Sequence, residues 1–216
     1  MADVCEAAGA DVVRLAEALA YDERIGRRSL SPGLGFGGGC LPKDIHAFRA
    51  TAMSMGVDSV ARLLDEVDVI NQTRRTRVLD LAREAAGGSL AGKRIAVLGV
   101  AFKPNSDDVR DSPSLDVCGR LAEEGAIVSV HDPVAMPNAA RIRPELRYAE
   151  SVSDAAEGAE LVVHLTEWAD YRAIDPIALA AVVAQPVLID ARCTLDTEVW
   201  LASGWRVRVL GRPQAS

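Results

Sequence analysis

At Gly87 and Gly88 the apolar period of the chain changes from helical to strand-like, and no other feature restricts the fold as much. Upstream, residues 3–8 and 11–20 have helical spacing, with Gly9 as a stop and Asp11 as an N-cap. A helix is predicted from Pro42 to about Met55, ended by Gly56, and a longer one from about Asp58 to Ala86. Downstream, apolar runs of strand length recur at Arg94–Val100, Ala126–His131, Leu161–Thr166, Val187–Asp190 and Trp205–Leu210. Helical stretches at Pro113–Glu124, Ser153–Glu157, Pro176–Val183 and Asp196–Ser203 lie between them. Strands alternating with helices predict an α/β fold with a parallel, doubly wound sheet, whose ligands bind beyond the carboxyl ends of the strands. The expected division is a helical domain over 1–88 and an α/β domain over 89–216.

Ser31 to Asp44 (SPGLGFGGGCLPKD) carries the chemistry of the helical part. Five glycines, Gly33, Gly35, Gly37, Gly38 and Gly39, lead to Cys40, and so many in seven residues describe a main-chain cradle rather than a packed element. Gly33, Gly35 and Gly38 satisfy G-x-G-x-x-G in form, but Ser31 and Pro32 precede them where a dinucleotide site needs a strand. A plain linker would lack Leu34 and Phe36 and the charged pair that follows. Pro42 suits the first helical turn, which puts Cys40 at a helix N-terminus, where backbone charge favours a thiolate, with Lys43 adding a full positive charge. The stretch reads as a nucleophilic cysteine beside a site for a phosphorylated ligand.

Further along, Val60, Leu63, Leu64, Val67, Val69, Ile70, Val78 and Leu81 form a broad apolar stripe, interrupted at 71–77 by NQTRRTR. That basic cluster reads as a solvated helix face, and a helix so long with little sequence around it suggests packing against another subunit. After the first strand, Ala101 to Ser112 (AFKPNSDDVRDS) sets Lys103 and Arg110 around Asp107, Asp108 and Asp111. Read without further context, this is equally well a charged surface loop.

A net charge of −7 over 216 residues argues against a nucleic-acid-binding surface or a patch for anionic membranes, both of which need clustered Lys and Arg. No apolar run approaches a membrane span. The four cysteines, Cys5, Cys40, Cys118 and Cys193, are far apart and lack metal-ligand spacing, so neither disulfide nor structural metal is expected, and reduced thiols fit a cytoplasmic location.

The stretch SPGLGFGGGCLPKD resembles the catalytic loop of the nucleotide-sugar 6-dehydrogenases, the UDP-glucose dehydrogenase family. LGVAFKPNSDDVRDSPSL, Leu98 to Leu115, is similar to the signature of that family's C-terminal domain. The resemblance covers the whole chain, from the middle of the family's central dimerisation helix to its end, and nothing in it corresponds to the N-terminal NAD-binding domain. It implies a helical central (dimerisation) domain followed by a Rossmann-like, UDP-sugar-binding sheet, in a homodimer. It implies oxidation of UDP-glucose to UDP-glucuronate with two NAD: a cysteine captures the aldehyde as a thiohemiacetal, and a thioester is then hydrolysed. Sulfur serves because it is both nucleophile and leaving group.

By the same resemblance Cys40 is the catalytic thiol, and Asp44, one turn on, orients the hydrolytic water, although an acidic residue is favoured in any first helical turn. The substrate-binding positions are Arg24, Ser29, Ser31, Pro32, Gly33, Phe36, Gly37 and Lys103; Arg24 is the counterpart of an arginine that reaches the substrate of a neighbouring subunit. Lys43, Arg110 and Arg192 are the cofactor contacts, and Ala191 stands where related enzymes have glycine between the aspartate and arginine. Two function classes follow: an enzyme portion that needs an NAD-binding half, which a separate reading frame would supply, or a nucleotide-sugar-binding module or inactive remnant. A third, a redox-sensing thiol protein, would use Cys40 without a nucleotide. The loop resembles the UDP-glucose branch more than the GDP-mannose branch.

Overall fold

The computed structural model describes residues 1–26 and 30–213. The helical part comprises α1 (Ala2–Ala8), α2 (Val12–Leu19), α3 (Leu41–Ser54) and α4 (Asp58–Ala85). Asp11 is the N-cap expected of it, accepting from the backbone N–H of Val13 and Arg14. Gly9 ends α1 in the left-handed conformation.

The remainder alternates β1 (Arg94–Leu98), α5 (Pro113–Glu123), β2 (Ile127–His131), α6 (Met136–Ile142), β3 (Arg147–Tyr148), α7 (Val152–Ala156) and β4 (Leu161–His164). It continues through α8 (Ala169–Arg172), α9 (Pro176–Ala180), β5 (Val187–Asp190), α10 (Thr197–Ala202) and β6 (Arg206–Val209). All strand pairs are parallel, and the order across the sheet is β3-β2-β1-β4-β5-β6. This is the doubly wound order, and the direction of winding reverses between β1 and β4.

Strands β4 and β5 are buried throughout and β1 everywhere after Arg94, as expected of strands covered by helices on both faces. One edge, β3, is only two residues long and was not foreseen: Arg147 and Tyr148 pair with Ser129 and Val130 without an apolar run of their own. The helices α6 and α8 were also not foreseen, being too short to establish a period.

The long helix departs from its expected faces. Leu63, Val69 and Ile70 are exposed, whereas Asn71, Arg74 and Arg75 are buried. The NQTRRTR run is therefore not a solvated face. Arg74 pairs with Asp3, Arg77 with Glu6 at 2.9 Å, and Arg75 with Asp116 of α5 at 3.4 Å, so the cluster ties α1 and α5 to α4. Beyond it, Val78, Leu79, Leu81 and Ala82 enter the same apolar cluster as the sheet residues Ile95, Val97, Val163 and Ile189. Leu34 of the glycine loop, wholly buried, joins that cluster too.

Candidate active site

Buried carboxylates and hydroxyls fix the loops at the carboxyl edge of the sheet. Asp132, just after β2, accepts the backbone N–H of Val100 and Ala101 at 2.8 and 3.1 Å, and the indole N–H of Trp168 at 3.2 Å. The Ser112 hydroxyl donates to the carbonyl of Val100 at 2.6 Å and caps α5 by accepting from Leu115 N–H. Thr166 donates to the carbonyl of Ala101 at 2.8 Å. These bonds set where the 101–112 loop leaves the switch point between β1 and β4.

Asp190, at the end of β5, does the same for the next loop. Its carboxylate accepts four backbone N–H groups, from Arg192, Cys193, Thr194 and Leu195, and pairs with the ring of His164. Burial alone pushes this carboxyl up, but His164 and the backbone donors outweigh it and hold it below the usual carboxylate range. Three non-glycine residues in the left-handed region lie in these two loops, Asn105 at φ 59° and Asp111 at φ 44° in the first and Cys193 at φ 56° in the second.

The glycine loop lies between α4 and the 101–112 loop. The Asn71 carboxamide accepts from Phe36 N–H at 2.8 Å and donates to the Phe36 carbonyl at 3.0 Å. Gly35, at φ 102°, lies so close to Asn71 Oδ1 that a methyl group would overlap it. A methyl at Gly37 would strike the Asp111 carbonyl, one at Gly38 would come within 2.7 Å of the Phe102 ring, and one at Gly39 within 2.8 Å of the Arg110 guanidinium carbon. Gly38 N–H also donates to the Asp111 carbonyl at 3.4 Å. The space freed at Gly35, Gly37, Gly38 and Gly39 is thus filled by protein, and these glycines serve close packing of loop on loop.

At the end of the loop Cys40 is exposed and forms the N-cap of α3, with Pro42 in the first turn. Of the four free thiols it alone is exposed: Cys5 and Cys118 are buried and Cys193 is partly covered. Burial drives the Cys118 thiol strongly upward and pushes Cys193 up to about 12. Arg110 faces Cys40 across Gly39. Its guanidinium is raised above its usual value first by hydrogen bonding to Asp108, at 2.7 Å, with a smaller contribution from Cys40. Asp108 is correspondingly lowered, by Arg110 first and by Lys103 last. The Lys103 ammonium lies 5.2 Å from the centre of the Phe102 ring. Lys43 and Asp44 approach each other at 3.6 Å on the open side of α3. Cys40, Arg110, Lys103 and Lys43 therefore lie on one exposed rim, where Asp108 and Asp44 offset two of the three cations.

Beside the rim lies a cavity of about 780 Å³. Ser31, Pro32, Gly33, Gly35 and Phe36 line one side of it, α2 and α4 supply Val12, Leu15, Val67 and Asn71, Arg172 comes from α8, and Arg192 and Thr194 come from the loop beyond β5. Of the residues singled out from sequence, Ser31, Pro32, Gly33, Phe36 and Arg192 meet here, whereas Cys40, Lys103 and Arg110 do not line it. Arg192 is held by Glu167 and lies against Gly33. Arg24 does not reach the cavity; its side chain is 89% exposed and pairs with Asp22. Ser29 lies outside the described residues. Sequence reasoning missed Asn71, Asp132 and His164 as organisers of these loops, and only the position of Asp132 and His164 at or next to a strand's carboxyl end signals them.

The first β-α turn of the sheet does not fit a dinucleotide. Gly99 is packed against Thr166, and the Ser112 hydroxyl occupies the N-terminus of α5, where a pyrophosphate would have to approach.

Residues 1–73 match the family model described as UDP-glucose/GDP-mannose dehydrogenase family, central domain, and residues 96–197 match the UDP binding domain of the same family. The chain is 37% identical over 214 residues to the UDP-glucose 6-dehydrogenase TuaD of Bacillus subtilis (strain 168), covering 99% of this chain and 46% of that protein. It is 38% identical over 213 residues to the UDP-glucose 6-dehydrogenase of Rhizobium meliloti (strain 1021), covering 99% and 48%. Among solved structures, a UDP-glucose dehydrogenase from Pyrobaculum islandicum superposes with TM-score 0.81 at 32% identity, over 98% of this chain and 45% of that one. An NDP-N-acetyl-D-galactosaminuronic acid dehydrogenase from Methanosarcina mazei Go1 gives 0.82 at 27%, over 98% and 46%. The chain spans about half the length of the curated relatives it matches.

Proposed function

The chain belongs to the UDP-glucose/GDP-mannose dehydrogenase family, and from that premise we propose that it is the C-terminal portion of an NAD-dependent UDP-glucose 6-dehydrogenase that makes UDP-glucuronate. The observation that carries this reading is Cys40: the exposed thiol sits at the N-terminus of α3, facing the Arg110 guanidinium, on a loop whose other end lines the large cavity.

In this reading the nucleotide sugar enters the cavity along Ser31, Pro32, Gly33 and Phe36, and Lys103 draws its sugar end toward Cys40 by a charge-assisted contact. Cys40 sulfur adds to the C6 aldehyde carbon to give a thiohemiacetal. At the acid stage it holds the acyl group as a thioester until water, directed by Asp44, displaces it. NAD, when bound, would accept a hydride at each of the two oxidations, first from the C6 alcohol and then from the thiohemiacetal. Arg110 and Lys43 stand at its edge, and its body would lie outside the sheet of this chain. The exposed Phe48, Met53, Leu63, Val69 and Ile70 of α3 and α4 support a homodimer through the helical part. Among the described residues no helix is long and apolar enough to cross a membrane, and four free thiols support a cytoplasmic location.

The filled β-α turn favours a second reading, a nucleotide-sugar-binding module without turnover. Both readings require the sugar nucleotide to bind, and they part at oxidation. The test is a titration of the chain with UDP-glucose together with Cys40 alkylation: the proposal expects saturable binding that slows Cys40 labelling, and no binding would refute both readings.

A further inference from the structure

Asn71 belongs to the middle of α4, 35 residues from Phe36 along the chain, and is only 4% exposed. Asparagine is a poor helix former, so an interior position is costly unless its side chain is used. Here both ends of the carboxamide are used, on one residue. Oδ1 accepts from Phe36 N–H at 2.8 Å and Nδ2 donates to the Phe36 carbonyl at 3.0 Å, so the amide bridges the loop as a neighbouring strand would. Gly35 has no side chain to keep Asn71 away. From this clasp only Gly37, Gly38 and Gly39 separate Phe36 from Cys40. Three glycines would leave Cys40 loosely held unless both ends of the segment were fixed. The far end is fixed by α3, and the middle packs against Asp111, Phe102 and Arg110 with a single long hydrogen bond, of 3.4 Å, to the Asp111 carbonyl.

We propose that Asn71 is the positioning residue of the Cys40 loop: it fixes the loop at Phe36, and through it the place of the thiol relative to Arg110 and the shape of the cavity wall that Phe36 forms. Asn71 acts through Phe36 and takes no part in bond making. The inference rests on the reading of Cys40 as the nucleophile, but its test does not require substrate.

Amide hydrogen exchange of the whole chain, resolved by peptide, compares the unsubstituted protein with Asn71→Ala and with the isosteric Asn71→Asp, which keeps the acceptor and loses the donor. The expected result is exchange faster by about tenfold at Gly37 to Cys40 as well as at Phe36, with the strands β1, β4 and β5 unchanged. A purely structural role would instead raise exchange across the sheet or leave Gly37 to Cys40 at the original rate, and either result overturns the proposal. Should Asn71→Ala not fold, Asn71→Asp is read alone by the same criteria. UDP-glucose affinity is measured on the same samples. Failure of the unsubstituted chain to bind counts against the proposed function only, whereas binding that is equally tight in a variant with a loosened loop refutes the role of Asn71 in the cavity wall.

Discussion

The ring of His164 meets the carboxylate of Asp190 at 2.8 Å in the interior of the sheet, and its other nitrogen meets the carbonyl of Thr166 at 2.9 Å. The pair joins the end of β4 to the end of β5, and through Asp190 it sets the loop that carries Arg192.

Asp190→Asn should therefore destabilise the chain by about 3 to 5 kcal/mol, the usual consequence of removing one partner from a buried pair. The pH dependence has a definite sign. The folded-state value of Asp190 lies below that of an unfolded aspartate, so its contribution is complete above about pH 3.9 and is lost as pH falls through the folded value. Urea unfolding at several pH values measures both. An Asp190→Asn variant as stable as the parent, or a contribution of Asp190 in the parent that grows as pH drops, would be incompatible with this assignment.

Cys40 should be the first thiol alkylated near neutral pH. Cys193, pushed up to about 12 by burial, carries so little thiolate that its labelling should be slower by more than about a hundredfold. Cys5 and Cys118 are shielded by the fold. Time-resolved peptide mapping after iodoacetamide treatment reads the order, and early labelling at Cys5 or Cys193 would count against the site.

Gly37→Ala should destabilise by about 1 to 3 kcal/mol, because a methyl group there overlaps the Asp111 carbonyl and meets the Pro113 ring within 2.5 Å. Gly204→Ala, with nothing within 4 Å, is the control for backbone strain alone, since its φ is 84°. Gly37 is not in the left-handed region, so on thermal unfolding its loss reports overlap and that of Gly204→Ala reports strain; a Gly37→Ala variant as stable as the parent would mean that loop-on-loop packing at Gly37 contributes little.

Lys103→Ala should weaken UDP-glucose binding by about tenfold or more, the usual worth of a charge-assisted hydrogen bond. Calorimetric titration decides it, and an unchanged affinity would remove Lys103 from the substrate contacts. Binding by the parent chain is the necessary control.

How far such residues could be read in the sequence depended on the range of the interaction that defines them. Val187–Asp190 emerged with its observed bounds because four consecutive apolar or strand-ending residues signal themselves locally. Cys40 was legible because glycine, proline and lysine neighbours lie within a few positions of it. Asn71 was hidden: its partner is 35 residues away, and within NQTRRTR an amide among arginines has the signature of a solvated face. The sequence reads the glycine run as a cradle for a ligand rather than a packed element, and it could not say that the atoms approaching Gly37, Gly38 and Gly39 belong to Asp111, Phe102 and Arg110. Of β3, two residues leave no period to detect.

The chain alone should show no UDP-glucose-dependent reduction of NAD. Holding two reactants in reacting geometry can supply about 7 to 11 kcal/mol of barrier reduction, and that holding requires a site for the body of the dinucleotide. The sheet has the right strand order for one but not the right turn: Gly99 is packed against Thr166, and at the start of α5 the Leu115 N–H is engaged by Ser112. Arg110 is paired with Asp108, is largely exposed and does not line the large cavity. The thiol and the cavity are independent of these features, so binding should survive where turnover does not. The measurement is NADH absorbance with purified 216-residue chain, UDP-glucose and NAD, run beside Cys40→Ala. Steady NADH production that the substitution abolishes would show that the cofactor is held productively by this chain, against the geometry of its first β-α turn.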